Sequence, residues 1–128
     1  MNLSGLLTGV DLVDSERLAR MVEQDDTFLM MAFTEAERGY CDSKAECLAA
    51  RWAAKEAVMK ALGRGIGNIS PLDIEVQHEG QGEPILVLTG AAQARAEELG
   101  VVGMNVTLSH ERGIAVGFVV MMKGMQSE

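Results

Sequence analysis

Two kinds of hydrophobic periodicity divide this chain, and their order is the strongest constraint on its fold. Helix-type patterns occupy much of the first half, whereas strand-type alternation in hairpin pairs dominates the second half. The predicted strands are residues 6–13, 72–76, 85–88, 104–110 and 114–122, and the predicted helices are 15–23, one that begins near 34, 48–62 and 90–99. This order favours an α+β fold, with helices packed on one face of a mainly antiparallel sheet, over an alternating parallel architecture.

The start of the second helix is marked by a capping motif. Thr34 and Glu37 have the spacing of a capping box, in which each side chain accepts a hydrogen bond from the other residue's backbone N–H. The sequence leaves open whether this helix continues into 48–62 or breaks near Asp42 and Ser43, because both residues are unfavourable in helix interiors.

The two cysteines, Cys41 and Cys47, lie in the same segment. On one continuous helix they would point to different faces and could not form a disulfide without distortion. We therefore expect reduced thiols that serve mainly in packing. A zinc site is disfavoured because no histidine lies nearby and no second cysteine pair is present.

Length and charge narrow the class of protein. A chain of 128 residues is the size of one domain, so we expect a single domain over 1–128. No apolar run approaches the ~20 residues of a membrane span, and the N-terminus lacks the basic opening of a secretion signal. We expect a soluble, cytoplasmic protein with no membrane contact. The net charge of −8, from 11 basic and 19 acidic residues, argues against a nucleic-acid partner.

The helix at 48–62 combines apolar residues with charged ones. Lys55 falls inside its apolar stripe, while Glu56 and Lys60 lie one turn apart beside the stripe. In an ordinary amphipathic helix, Lys55 would extend its alkyl chain over the core, and Glu56 and Lys60 would form a weak surface pair. The glycine run GRGIG that follows at 63–67 can approach a phosphate closely. Because it lacks the GxxxxGK[ST] pattern and Gly63 can serve as a helix C-cap, the glycines alone favour a structural role.

Five segments together resemble one known family. GVDLVDSERL, FTEAE, ARWAAKEAVMKALGRGIG, GEP and TLSH occur in the order and spacing of the holo-acyl-carrier-protein synthases, which are small bacterial 4′-phosphopantetheinyl transferases. The resemblance covers nearly the whole chain. Its most specific part is the WxxKEAxxKA core with an upstream GxD. Each fragment by itself is weak, so the combination carries the assignment.

The resemblance implies a fold, a reaction and partners. The expected fold is that of the 4′-phosphopantetheinyl transferases. The expected reaction moves phosphopantetheine from coenzyme A to a serine of an apo acyl carrier protein, requires Mg²⁺, and releases adenosine 3′,5′-bisphosphate. Members of the family are typically homotrimers with sites between subunits.

Residue matching to the family assigns the chemistry. Asp11 and Glu56 match metal-binding carboxylates, and Lys60 matches the lysine near the reacting phosphate. Magnesium commonly takes one or two protein carboxylates, and a compact cation suits charge on a transferred phosphoryl group. Glu56 is also the candidate base for the carrier serine, directly or through a metal-bound water.

The same matching assigns the coenzyme A contacts. Arg51 would contact the 3′-phosphate, Gly63 and Gly65 would lie along the phosphates, and the remaining candidates would line the nucleotide pocket. Those candidates are Pro84, Ser109 and His110. A Ser-His hydrolase is rejected, because Ser109 and His110 are adjacent on a strand and should point to opposite faces, and because no GxSxG elbow is present.

One feature departs from the family pattern. Carrier proteins are acidic and family members usually offer them a basic helix, whereas here Arg17 and Arg20 stand among Asp14, Glu16 and Glu23. Long-range attraction to a carrier should therefore be weak or local. This departure sustains a second hypothesis, a non-catalytic trimer that binds coenzyme A or another nucleotide.

Overall fold

A computed structural model describes residues 4–79 and 82–124. Its elements, in chain order, are β1 (Leu6–Asp14), α1 (Ser15–Gln24), α2 (Phe28–Ala32), α3 (Glu35–Cys41), α4 (Ala45–Leu62), a 3₁₀ turn (Pro71–Asp73), β2 (Ile74–Glu79), β3 (Glu83–Leu88), α5 (Gly90–Leu99), β4 (Val101–Glu111) and β5 (Ile114–Lys123). The predicted capping box of α3 is present, with both hydrogen bonds formed. Within the described part of the chain, no helix is long and apolar enough to cross a membrane.

The strands form two antiparallel sheets. One sheet has the order β1-β5-β4, and the other is the hairpin of β2 and β3. In the larger sheet Asp11 of β1 is paired with Gly117 of β5. The α+β class and the antiparallel hairpins predicted from the sequence are thereby confirmed.

Helix α4 is the central element and is buried on almost every side. Two glycines let the larger sheet approach its backbone. A Cβ atom at Gly9 would lie 1.9 Å from the carbonyl oxygen of Ala57, and one at Gly117 would lie 2.5 Å from the amide nitrogen of Ala54. Because side chains are excluded at these two points, β1 and β5 lie directly against α4, which fixes Asp11 relative to the helix.

The chain breaks between α3 and α4, which settles the question that the sequence left open. Asp42 and Ser43 both adopt left-handed backbone conformations, with φ of 48° and 65°. Our expectation of reduced thiols was wrong, because it assumed one continuous helix. The break folds α4 back, brings the Cα atoms of Cys41 and Cys47 to 5.3 Å, and the two residues form a disulfide.

The smaller hairpin also differs from expectation. Leu72 was predicted to alternate with Ile74 and Val76 on a strand, but it belongs to the 3₁₀ turn and is exposed, while the other two are buried in β2. The segment HEGQGEP was predicted to be a turn. Most of its described residues continue the strands instead, and His78 is paired with Pro84. Residues 80–81 of that predicted turn lie outside the described part.

Candidate active site

Asp11 and Lys60 form the first contact of the candidate site. Lys60 Nζ lies 3.0 Å from Asp11 Oδ1 and donates a second hydrogen bond of 2.9 Å to the carbonyl oxygen of Val10. The surface pair predicted between Lys60 and Glu56 is replaced by this pair with Asp11. The lysine side chain is 56% exposed and the aspartate 15%, so the ammonium group is fixed in position yet open to a ligand.

Glu56 lies beside this pair, and its environment disfavours the negative charge. Partial burial is the largest cause that raises the pKa of the Glu56 carboxyl group, and the charge and hydrogen bonding of Asp11 raise it further. Lys60 and Arg17 partly offset the effect. Two carboxyl groups thus face each other in a cleft of about 330 Å³ that Arg17 and Trp52 also line.

The carboxylate pair suits a divalent cation. A cation between Asp11 and Glu56 would relieve their mutual repulsion, and magnesium commonly uses one or two carboxylates with water and phosphate oxygens. Over residues 4–79 and 82–124 there is no group of three or more His, Cys, Asp or Glu residues arranged to hold a metal. Asp11 and Glu56 are the residues that could hold a cation at this site.

The glycine run lies next to these charges. Glu56, Lys60, Gly63 and Gly65 line a shared cleft of about 430 Å³. Gly63 has a φ of 69° and closes the C-terminus of α4, so its structural role as a cap is present as well. Because Glu56 lines both clefts, the structure brings Asp11, Glu56 and the glycines to one continuous surface at the end of α4.

Lys55 is adjacent to Glu56 in sequence but belongs to a different environment. Its side chain is fully buried, and Lys55 Nζ lies 2.7 Å from Oε1 of the equally buried Glu37. It also donates hydrogen bonds to the carbonyl oxygens of Pro71 and Ile74. The suggestion that Lys55 extends over the core to solvent was wrong. Burial lowers the pKa of Lys55, and the nearby Glu37 and Glu75 raise it.

Arg51 lies in another part of the molecule. It is 3% exposed and lines a cavity of about 870 Å³. His110 lines the same cavity, as do four residues that the sequence did not suggest, namely Tyr40, Lys44, His78 and Arg112. Burial is the main cause that lowers the pKa of Arg51. Glu16 and Glu46 line the cavity too, so a site for an anion in it rests on Arg51, Lys44 and Arg112.

Ser109 lines neither group of clefts, whereas Pro84 adjoins the Arg51 cavity through His78. Pro84 lines a cleft of about 550 Å³ between β3 and β4. Ser109 is paired with Val116 on β5, whereas His110 is paired with the buried Ala115, so the two neighbours occupy opposite faces of the sheet. That orientation confirms the argument against a Ser-His hydrolase. Of the predicted nucleotide residues, Arg51 and His110 line one cavity and Pro84 lines a cleft that adjoins it.

Several residues near these sites were missed by motif reasoning. Tyr40 and His78 surround Arg51, and Arg17 lies near Glu56. Arg17 follows Asp11 within the GVDLVDSERL segment, and the helical turn of α1 could have indicated that it faces back toward the carboxylates. No local signal connects Tyr40 on α3 with His78 on β2, since their meeting depends on how the smaller hairpin packs.

Comparison with known proteins assigns the family. The model of the 4′-phosphopantetheinyl transferase superfamily matches residues 8–118 of this chain. The chain belongs to this family. It is 46% identical over 125 residues to the holo-[acyl-carrier-protein] synthase of Herpetosiphon aurantiacus, and the match covers 91% of this chain and 98% of that protein.

Solved structures agree with the assignment. The Helicobacter pylori holo-[acyl-carrier-protein] synthase in complex with coenzyme A superposes with a TM-score of 0.82 at 27% identity, covering 90% of this chain and 99% of the other. The acyl carrier protein synthase of Mycobacterium tuberculosis gives a TM-score of 0.74 at 36% identity, covering 96% and 100%. The resemblance and the fold expected from the sequence are confirmed.

Proposed function

We propose that this protein transfers the 4′-phosphopantetheine group of coenzyme A to a serine of an apo acyl carrier protein. The observation that carries the proposal is the contact of Asp11, Glu56 and Lys60 at the end of α4, in a chain of the phosphopantetheinyl transferase family. The related proteins named as holo-acyl-carrier-protein synthases, one of them crystallised with coenzyme A, support the same reaction.

The proposed reaction is a phosphoryl transfer. The serine hydroxyl oxygen attacks the β-phosphorus of coenzyme A, a new P–O bond forms, and the bond to the bridging pyrophosphate oxygen breaks. The products are the phosphopantetheinyl serine and adenosine 3′,5′-bisphosphate. Glu56 accepts the hydroxyl proton in this proposal, because its carboxylate lines both clefts next to Asp11, Lys60 and the glycines.

Asp11 and Glu56 are the proposed ligands of Mg²⁺. When bound, the cation neutralises charge on the pyrophosphate and on the leaving bisphosphate. Lys60, already held against Asp11, presents its ammonium group to charge that develops on the transferred phosphoryl group. Gly63 and Gly65 allow the phosphate chain to approach the end of α4 closely.

The nucleotide end of coenzyme A is assigned to the remaining candidates. Arg51 would bind the 3′-phosphate, and Pro84, Ser109 and His110 would line the nucleotide pocket. The Arg51 cavity shares no lining residue with the clefts at Glu56, and this separation supports sites formed between subunits of a homotrimer. The outer face of β1 and β5 supports it too, because the apolar Val10, Leu12, Phe118 and Met122 are exposed there. We further propose that residues 1–128 act as one domain in the cytoplasm.

The test of this function is intact mass spectrometry of an apo acyl carrier protein after incubation with the protein, coenzyme A and Mg²⁺. We expect the carrier to gain the mass of one phosphopantetheine, and a chelator to prevent the gain. No gain with any of several carriers, despite binding of coenzyme A, would favour the non-catalytic binding protein. The net charge of −8 is the observation that favours that alternative.

A further inference from the structure

The guanidinium group of Arg51 is held by two residues outside the motifs that define the site. Arg51 Nη2 is hydrogen-bonded to Nε2 of His78, and Nη1 donates a 3.3 Å bond to the carbonyl oxygen of Cys47. The guanidinium carbon lies 4.5 Å from the centre of the Tyr40 ring. The Tyr40 and His78 rings are stacked, with centroids 4.3 Å apart and planes inclined by 11°.

These contacts define a layered arrangement. Because Arg51 and His78 touch each other, both groups must lie against the same face of the Tyr40 ring. The ring therefore covers the guanidinium and the imidazole together, and 59% of the tyrosine remains exposed. The three residues come from α3, α4 and β2, so packing of three separate elements fixes the orientation of the guanidinium plane.

The hydrogen bonds also define how His78 acts. A carbonyl oxygen only accepts, and His78 Nδ1 lies 3.2 Å from the carbonyl oxygen of Gly82, so Nδ1 carries the proton. A guanidinium only donates, so Nε2 accepts from Arg51. His78 thus acts toward Arg51 as a hydrogen-bond acceptor that is itself fixed by the β2–β3 hairpin.

The guanidinium retains unused donors. It has five N–H groups, and the described contacts use one on each of Nη1 and Nη2. Arg51 Nε is buried and has no hydrogen-bond partner among the described residues. The remaining N–H groups on Nη1 and Nη2 are the donors available to a ligand in the adjoining cavity of about 870 Å³.

We propose that Tyr40 and His78 are positioning residues that orient Arg51 toward the 3′-phosphate of coenzyme A. They thereby determine how strongly the protein distinguishes coenzyme A from 3′-dephospho-coenzyme A. The inference rests on the proposed function in assigning Arg51 to that phosphate. A planar guanidinium binds phosphate through paired hydrogen bonds whose strength depends on orientation, so residues that fix its plane contribute to affinity without touching the ligand.

The test measures equilibrium binding by calorimetric titration with coenzyme A and, separately, with 3′-dephospho-coenzyme A. The disruptive variants are His78→Leu and Tyr40→Leu. Matched conservative variants are His78→Gln, which keeps an acceptor for Arg51, and Tyr40→Phe, which keeps the ring. Gln77→Ala, at an exposed neighbouring position of β2, is the control substitution. Thermal unfolding of each variant reports whether it is folded.

We expect each disruptive variant to weaken coenzyme A binding roughly five- to thirtyfold, within the range of cation–π and charge-assisted contacts. Binding of the dephospho form should change less than about twofold, and turnover at saturating coenzyme A should remain. Gln77→Ala should bind both ligands as the unmodified protein does, and each conservative variant should retain more coenzyme A affinity than the leucine variant at the same position.

Equal weakening for both ligands, or unchanged discrimination in both disruptive variants, would overturn the inference. If one disruptive variant fails to fold, the other still tests the inference, because Tyr40 and His78 lie on different elements. Failure of the proposed function has a separate signature, namely that the unmodified protein transfers phosphopantetheine to none of several carriers, even though it binds coenzyme A.

Discussion

Two lysines of α4 form ion pairs with carboxylates, yet their surroundings differ completely. Lys55 and Glu37 are both fully buried, and hydrogen bonds from backbone amides and to backbone carbonyls surround the pair. Lys60 and Asp11 form a pair of similar length, but the lysine side chain is more than half exposed. The first pair joins α4 to α3 and β2, whereas the second is accessible to an anionic ligand.

The difference shows that the role of an ion pair depends on whether a ligand or solvent can contact it. Both carboxylate oxygens of Glu37 are hydrogen-bonded within the protein, since they accept from Thr34, Lys55 and Val76. A buried pair of this kind holds elements in place, and removing one partner leaves an uncompensated charge. An exposed pair contributes only about 0–1 kcal/mol to stability, so its conformation can serve ligand binding instead.

The largest expected effect is on stability, from the buried pair. Lys55→Met should lower the free energy of unfolding by about 3–5 kcal/mol, because it leaves the Glu37 carboxylate buried without its cation. Urea denaturation measures the change. The control is Lys44→Met, at an exposed lysine that precedes the same helix, which should change stability by less than about 0.5 kcal/mol. Equal, small changes in both variants would show that the buried ion pair contributes no more to stability than an exposed lysine does.

Glu56→Gln should have the next largest effect, on transfer alone. Loss of the proposed ligand and base should reduce transfer roughly 10²–10³-fold, equivalent to about 2.7–4 kcal/mol. Stability should be unchanged or slightly higher, since the folded protein already disfavours the Glu56 charge. Intact mass spectrometry over time and urea denaturation give the two quantities. Transfer at the unmodified rate would refute the assignment.

Lys60→Ala should lower turnover more than coenzyme A affinity. The interaction of Lys60 with the phosphoryl group should strengthen as charge develops in the transition state. We therefore expect turnover to fall roughly 10- to 100-fold and coenzyme A affinity to change by less than about threefold. Steady-state kinetics and calorimetric titration separate the two. Lys123→Ala, at the end of β5, is the matched control. The reverse result, weaker binding with unchanged turnover, would make Lys60 a binding residue only.

The smallest expected effect is on stability, and it distinguishes the contribution of the α3 N-cap from that of the buried ion pair. Thr34→Ala removes the hydroxyl that accepts a 3.2 Å hydrogen bond from the Glu37 amide, but it leaves the bond between Lys55 and Glu37. The loss should be about 1 kcal/mol, the usual contribution of an N-cap. A loss as large as that of Lys55→Met, measured by the same urea denaturation, would show that cap and ion pair form one cooperative unit.

Local patterns in the sequence predicted much of the fold. The capping box at Thr34 and Glu37, the hairpin of β4 and β5, and the ends of α5 follow from short-range hydrogen bonding and periodicity. The pairing of cysteines did not, because it depends on the left-handed backbone of Asp42 and Ser43. Their low helix propensity indicated a possible break, but not the direction in which the chain would turn.

Part of the candidate site was also predictable, because short motifs in the sequence identify its residues. The GxD and KEAxxK segments identified Asp11, Glu56 and Lys60 as a set, and the structure places all three together. The surroundings of Arg51 were not predictable, since Tyr40 and His78 are far from each other in the chain.

The sequence by itself determined the fold class, the family, and the residue types that suit phosphoryl transfer, because these depend on periodicity and on motifs within short segments. Only the tertiary structure decided that Lys55 forms a buried ion pair, whereas Lys60 is accessible to a ligand. A helical wheel gives the direction of a side chain but not what lies across from it. Whether Glu37 or solvent meets that side chain depends on how α3 and β2 pack against α4.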